Sequence, residues 1–100
     1  MTRTPNPARG EAMAAGIMLR PSFAALVAAE EELGPLFALV ERAAAGQLKL
    51  TEMVALFWHC RFNAAADLSR DAFSEAVADE GLAAATPALK TLLGQILGGQ

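Results

Sequence analysis

The chain has little of the chemistry that marks an enzyme or a metalloprotein. Its 100 residues include one cysteine, Cys60, and one histidine, His59. A single cysteine excludes an intrachain disulfide and is typical of a reducing cytoplasm. The two residues are adjacent, so on a helix they point about 100° apart and cannot ligate one metal ion together. We expect no metal, no cofactor and no thiol–imidazole catalysis, with Cys60 buried and His59 on the surface or in an interface.

Basic runs and long apolar runs are also absent. The net charge is −3, the pI is near 5.0, and the basic residues are scattered from Arg3 to Lys90. Phosphate-driven binding needs a positive patch, so we expect no nucleic-acid partner. Apolar runs such as Ala12–Leu19 and Pro21–Ala29 stop short of the ~18 residues that a membrane span requires, and Arg20 with Pro21 would interrupt a secretory signal. The sequence predicts a cytoplasmic protein with no membrane partner.

Alanine is the most frequent residue of the chain. It accounts for 23 residues of a chain that is 54% apolar. Because alanine is the best helix former and buries little surface, the composition favours helices that approach closely over a thick core. One hundred residues suffice for one domain and are too few for two. We predict a mainly α fold, with a flexible arm over residues 1–8 and a single helical domain over residues 9–100, a compact bundle of about five short helices.

Capping residues, prolines and glycines mark the helix boundaries. The predicted helices are Phe23–Leu33 after the cap Ser22, Pro35 to about Ala45, the segment from the cap Thr51 through Phe62, the segment from the cap Ser69 to Gly81, and Thr86-Pro87 to Gly98. Helical periodicity places one set of large side chains inward. These are Phe23, Leu26, Val27 and Leu33 on the first helix, Leu36, Leu39 and Val40 on the second, and Leu89, Leu92, Leu93, Ile96 and Leu97 on the last.

A short β element precedes the first helix. Ile17-Met18-Leu19 is an apolar stretch between Gly16 and Pro21. It predicts either one short strand or a small hairpin with Glu11–Ala14. Alanine is a poor strand former, which weighs against the hairpin.

The third predicted helix is apolar on nearly every side. Such a helix is either central in its domain or partly exposed for a partner, and both hold together if one side is core and the other an interface. Trp58 and Phe62 share a face at i, i+4, roughly opposite Leu56. Aromatic side chains dominate binding energy where a contact desolvates them. We therefore predict that Trp58, Phe62 and Val54 belong to a partner-binding or self-association face.

Two other classes of function are weaker. The acidic clusters Glu30-Glu31-Glu32 and Asp79-Glu80 fan around their helices and are typical of solvated faces, so no catalytic residue is predicted and the chain is not expected to be an enzyme. The alternative function is a small helix-turn-helix-like regulator, using the third and fourth helices, or another protein-interaction module. A reader helix needs basic or amide side chains toward the bases, and the fourth helix offers only Arg70 at its start.

Several segments resemble a known family. Asn6–Glu11 and Leu19–Leu26, followed by Glu30 and Gly34, are similar to the gene transfer agent family of phage tail assembly chaperones. The agreement continues along the layout of the chain, in Leu36–Arg42, in Leu50–Leu56, in Ser69–Gly81 and in the stretch from Leu92 to Gly98. The shared features are helix caps and apolar spacings, and they include no catalytic signature.

The resemblance implies a small helical protein that acts with other tail proteins. Its partner would be the tape measure protein, whose apolar helical surface is exposed before the tail tube encloses it. A small acidic protein can cover that surface while repelling its own kind. The implied mechanism is reversible masking, without a reaction or a cofactor. Self-association as a homo-oligomer is a further expected contact.

Overall fold

The computed structural model describes residues 12–62 and 67–98. Within this part the chain forms five helices and one two-stranded hairpin. In chain order the elements are β1 (Ala12–Ala14), β2 (Ile17–Leu19), α1 (Phe23–Leu33), α2 (Leu36–Ala44), α3 (Leu50–His59), α4 (Arg70–Glu80) and α5 (Leu82–Gly98). The predicted mainly α fold of about five short helices is confirmed. The arm predicted over residues 1–8 lies outside the described residues.

The hairpin forms despite its alanines. β1 pairs antiparallel with β2, with Ala12 opposite Leu19. The turn residues Ala15 and Gly16 both have positive φ, 53° and 77°, as the favoured two-residue hairpin turn requires. Ala12 and Ala14 are only 2% exposed, and β1 packs on α5. Small side chains let the strand approach the helix closely, which offsets their poor strand propensity. Of the two predicted alternatives, the hairpin is the one that forms.

The residues that follow α3 form backbone hydrogen bonds with the second strand of the hairpin and the residue after it. The amide of Arg20 donates to the carbonyl of Cys60 at 2.7 Å, and the amide of Phe62 donates to the carbonyl of Met18 at 2.9 Å. The prediction of one helix running through Phe62 is therefore wrong, because α3 ends at His59. The backbone groups that would extend the helix are paired with β2 instead.

The boundaries of α1 and α4 are confirmed. The hydroxyl oxygens of Ser22 and Ser69 accept hydrogen bonds from amides in the first turn, at 3.2 and 3.0 Å. Each bond satisfies one of the donors that a helix start leaves free. Gly34 and Gly81 end the two helices with φ of 88° and 92°, a region that favours glycine. Local sequence signals alone were sufficient at these four positions.

α3 begins before its predicted cap. Lys49, and not Thr51, occupies the capping position. The amide of Lys49 donates to the carboxylate of Glu52 at 3.0 Å, and the same carboxylate pairs with Arg42 of α2. The hydrogen bond from Lys49, and next the one from Arg42, lower the pKa of Glu52 below its usual value. A glutamate in the first turn thus caps α3 and ties it to α2.

α5 also begins earlier than predicted. It starts at Leu82, directly after the glycine that ends α4, and carries Thr86 and Pro87 inside it. Proline removes one hydrogen bond of the helix, while the Thr86 hydroxyl donates to the Leu82 carbonyl at 2.8 Å. Ala85 and Ala88, on either side of the proline, are buried. Packing of these two alanines against the core holds the helix through Pro87.

α3 lies at the centre of the packing. Every residue from Met53 to Phe57 is at most 7% exposed. The other helices contribute fully buried side chains to the same cluster, namely Leu39, Phe73, Val77 and Leu92. Of the two alternatives that the apolar pattern left open, the central position is confirmed.

The faces of α1 and α5 that point to the core differ from the predicted ones. On α1, Phe23 is 84% exposed and Val27 is 38% exposed, whereas Ala29 is fully buried. α1 packs against α3 through its alanine side, because small side chains allow the closer approach, and this turns the phenylalanine outward. On α5, Leu97 is 58% exposed, since the apolar stripe of this helix extends past the surface that the core covers.

Candidate functional site

An apolar groove lies between α2 and α5. Its walls are Leu36, Phe37 and Val40 from α2, and Ile96 and Leu97 from α5. We call this set, with Glu30 at one edge, the apolar groove; its volume is about 240 Å³. Phe37 is 77% exposed and Leu97 is 58% exposed. Large apolar side chains exposed together on two walls of one groove are typical of a protein-binding surface.

The edge of the apolar groove carries a fixed carboxylate. Glu30 of α1 accepts a hydrogen bond from the amide of Leu36 at 3.1 Å. Pro35 precedes α2 and provides no side-chain cap, so Glu30 supplies the missing acceptor from a neighbouring helix. The carboxylate thereby both orients α2 and places a negative charge beside the exposed leucine and phenylalanine side chains.

A second cleft lies beside α1, where β2 meets the end of α3. It has a volume of about 430 Å³, and Arg20, His59, Arg61 and Phe62 line it together with four small residues of α1 and its start, Ser22, Ala24, Ala25 and Ala28. We call it the arginine cleft. None of its described lining residues is acidic. Two guanidinium groups, those of Arg20 and Arg61, thus line the same depression.

Both guanidinium groups of the arginine cleft are stacked on aromatic rings. Arg20 lies 3.9 Å from the centre of the Phe62 ring, and Arg61 lies 3.3 Å from the centre of the Trp58 ring. The Nε of Arg61 also donates to the Trp58 carbonyl at 2.7 Å. Burial lowers the pKa of Arg61 from its usual value, although an arginine stays charged at neutral pH. Cation–π attraction to the two rings restrains both cations.

An ion-pair cluster joins three helices next to the arginine cleft. Glu32 of α1 accepts two hydrogen bonds from Arg70 of α4, one of them at 2.9 Å. Its carboxylate also lies 2.8 Å from Nε2 of His59 on α3. The bonds from Arg70, and next the one to His59, lower the pKa of Glu32 to about 2. Arg70 is thus engaged within the fold, and α4 has no other basic residue to read a base.

The three predicted partner-binding residues do not share one surface. Val54 is 6% exposed and belongs to the core. Trp58 is half-buried and packs on Phe73, with ring centres 5.9 Å apart. Phe62 lies beyond the end of α3 and lines the arginine cleft. The common helical face predicted for Trp58 and Phe62 is wrong because the helix ends between them, while the binding role itself stays a prediction.

Cys60 lies fully inside the fold. Its side chain is 0% exposed, as predicted, and burial raises its pKa to about 12. A thiol with such a pKa remains protonated at neutral pH and is a poor nucleophile. His59, its neighbour, points instead to Glu32. In the part of the chain that the structure describes, no three potential metal ligands come together, and none of the helices there is long and apolar enough to span a membrane.

Both surfaces escaped prediction from the sequence, for different reasons. The apolar groove left a signal, because placing Leu36, Leu39 and Val40 inward leaves Phe37 on the outer side of α2. No pattern in the sequence indicates the arginine cleft. Arg61 stands far along the chain from Arg20, and only the pairing of β2 with the residues after α3 brings their positions together.

Most of the chain matches a family of known proteins. A family model described as "Phage tail tube protein, GTA-gp10" matches residues 12–99. The match confirms the predicted relation to the tails of phages and gene transfer agents, but the description names a tail tube protein and not a tail assembly chaperone. Searches of curated proteins and of solved structures give no significant match.

Proposed function

The chain belongs to the GTA-gp10 family of phage tail proteins, and from this membership we propose that it is a non-enzymatic assembly chaperone or adaptor. In this role it binds an apolar helical segment of another tail protein and releases it when the tail is built. The partner we propose is the tape measure protein. The site of action is the cytoplasm of the producing cell.

The observation that carries this proposal is the exposure of Phe37 and Leu97 on opposite walls of the apolar groove. Burying a large apolar side chain is worth about 1.5–3 kcal/mol. The two walls are parts of helices, and a groove between two helices is a common seat for the apolar face of a third. A groove of about 240 Å³ is smaller than a typical small-molecule pocket, and its size suits one or two anchoring side chains.

The net negative charge of the protein favours reversible covering of a partner's apolar surface. Its net charge of −3 opposes clustering of loaded copies, because like charges repel. A long tape measure protein has many apolar helical turns to cover before the tube encloses it. Small proteins that bind the partner and not one another would cover such a surface in proportion to its length. The proposal requires no reaction and no cofactor.

Co-expression with the tape measure protein tests this proposal. Phe37→Ser and Leu97→Ser should each reduce the soluble, co-purifying fraction of the tape measure protein, and binding by the double variant should fall by at least about tenfold, since anchors in a contact dominate its energy. The matched control is Phe23→Ser. Phe23 is 84% exposed but does not line the groove, so this variant should behave as wild type. Wild-type binding by the double variant would contradict the proposal.

The second candidate is a subunit of the tail tube, which the family description favours. A tube subunit must contact identical copies on two sides and build closed rings. Light scattering and electron microscopy of the purified protein separate the two functions. Rings or tubes that persist without any partner favour the tube subunit, whereas small particles that bind a tape measure segment in fixed proportion favour the chaperone.

A further inference from the structure

We propose that the arginine cleft is a second binding site, which takes an acidic peptide segment whose carboxylates pair with Arg20 and Arg61 while an apolar side chain between them covers Phe62. This site is separate from the apolar groove. It does not depend on which tail protein occupies that groove.

Two arginines of the cleft have no carboxylate partner among the residues that the structure describes. Arg42 and Arg70 form ion pairs with Glu52 and Glu32. Arg20 and Arg61 form no ion pair with any described residue, yet both line one cleft of an acidic protein. A guanidinium carries five N–H donors in a rigid fork that matches a carboxylate. Arg61 uses only its Nε toward the Trp58 carbonyl.

Both guanidinium groups are preorganised by neighbouring rings. Arg20 lies over the Phe62 ring and Arg61 lies over the Trp58 ring. A side chain that is already fixed loses less conformational freedom when it binds. Partial burial of Arg61, which lowers its pKa, also strengthens its attraction to an incoming carboxylate, because fewer waters screen the pair. The cleft is therefore arranged for an anion before any anion arrives.

The composition of the cleft favours a peptide carboxylate over a nucleic acid. Nucleic acids need several phosphate contacts along a positive stripe, and the cleft offers two arginines in a protein of net charge −3. Its floor is apolar, formed by Ala24, Ala25 and Ala28 beside the Phe62 ring. A peptide with acidic residues on either side of an apolar one satisfies both the cations and this floor.

Nuclear magnetic resonance titration of the isotope-labelled protein tests the site. The probe is a capped heptapeptide with two glutamates separated by a leucine, and its matched control is the same peptide with two glutamines. The reporters are the indole N–H of Trp58, the only tryptophan, and the Nε–H of Arg61. We expect the glutamate peptide to move both signals with a dissociation constant at least about tenfold below that of the glutamine peptide.

Variants and a simple anion complete the test. Arg20→Gln should weaken binding of the glutamate peptide about tenfold, and Lys90→Gln, which removes an exposed cation outside the cleft, should leave it unchanged. Phe37→Ser should also leave it unchanged, so failure of the apolar groove and failure of this site are distinguishable. Equal affinity for the two peptides, or an Arg20→Gln variant that binds as wild type, would overturn the proposal. So would inorganic phosphate that binds as tightly as the peptide and displaces it.

Discussion

The carboxylate of Glu32 on α1 accepts two hydrogen bonds from the guanidinium of Arg70 on α4. These residues stand far apart in the chain, and His59 of α3 contacts the same carboxylate. One cluster of polar side chains therefore links α1, α3 and α4. Its effect on stability can be measured through the acid dependence of unfolding.

Stability should fall in acid as Glu32 takes up a proton. Folding lowers the pKa of Glu32 from 4.5 to about 2, so its contribution is complete above pH 4.5 and is lost as the pH falls toward 2. Because the side chain is 38% exposed, solvent screening limits this contribution to about 1 kcal/mol. Glu32→Gln should cost that amount at pH 7 in urea unfolding and almost nothing near pH 2. Glu31→Gln, at the exposed neighbouring position, is the control, and an equal loss in both variants would refute the assignment.

Shortening the leucine side chains at the two ends of the apolar stripe of α5 should change the free energy of unfolding by different amounts. Leu92 is fully buried and Leu97 is 58% exposed. Leu92→Ala should lower the free energy of unfolding by ~2–5 kcal/mol through lost burial and a cavity. Leu97→Ala should change it by less than about 0.5 kcal/mol. Chemical denaturation of both variants decides this, and similar losses would mean that Leu97 packs inside the fold and does not form a wall of the groove.

Replacing Gly94 and Gly81 by alanine should change the stability of the protein in opposite directions. Gly94 lies inside α5 with open space around its Cα, so Gly94→Ala should stabilise the protein by about 0.5–1 kcal/mol. Gly81 has φ of 92° at the end of α4, where a side chain is strained, and Gly81→Ala should destabilise it by about 1 kcal/mol or more. The midpoints of thermal unfolding report both effects. Stabilisation by both substitutions would exclude the left-handed stop after α4.

The Cys60 thiol should be protected until the protein unfolds. It is completely buried, and burial raises its pKa to about 12, so little thiolate is present or accessible at pH 8. Its reaction with a disulfide reagent should be slow in buffer and fast in strong denaturant. The control is the same protein with the reagent added after denaturation. Rapid labelling in buffer would show that the end of α3 opens readily.

Prediction from the sequence succeeded where a local rule sets the structure. Ser22 and Ser69 cap their helices and Gly34 and Gly81 stop them, because capping needs only a few neighbouring residues. The central position of α3 followed from an apolar pattern that leaves no polar side to face water. The same kind of reasoning failed for Phe62, since the competing hydrogen bonds come from β2, which is remote in the chain.

The candidate site was less accessible to such reasoning. Helical spacing predicts Trp58 and Phe62 as anchors on one helix face, whereas the structure separates them and leaves Phe62 in the arginine cleft. The exposure of Phe37 could be anticipated from the periodicity of α2, whereas the exposure of Phe23 required knowing that α1 packs through Ala29. A helix with alanines on one side and large residues on another has two plausible inward faces.

Local patterns in the sequence are enough to establish the fold class, most helix boundaries and the burial of α3, because helix propensity, capping and apolar periodicity act over a few residues. The sequence also carries the segments that mark the chain as a phage tail protein. Tertiary packing sets which side of α1 faces the core, brings Arg20 and Arg61 to one cleft, and lets Glu32 bind both Arg70 and His59. These relations join residues from different elements, and they are set by how closely alanine-rich helices and the hairpin can approach one another, a property of the whole packing.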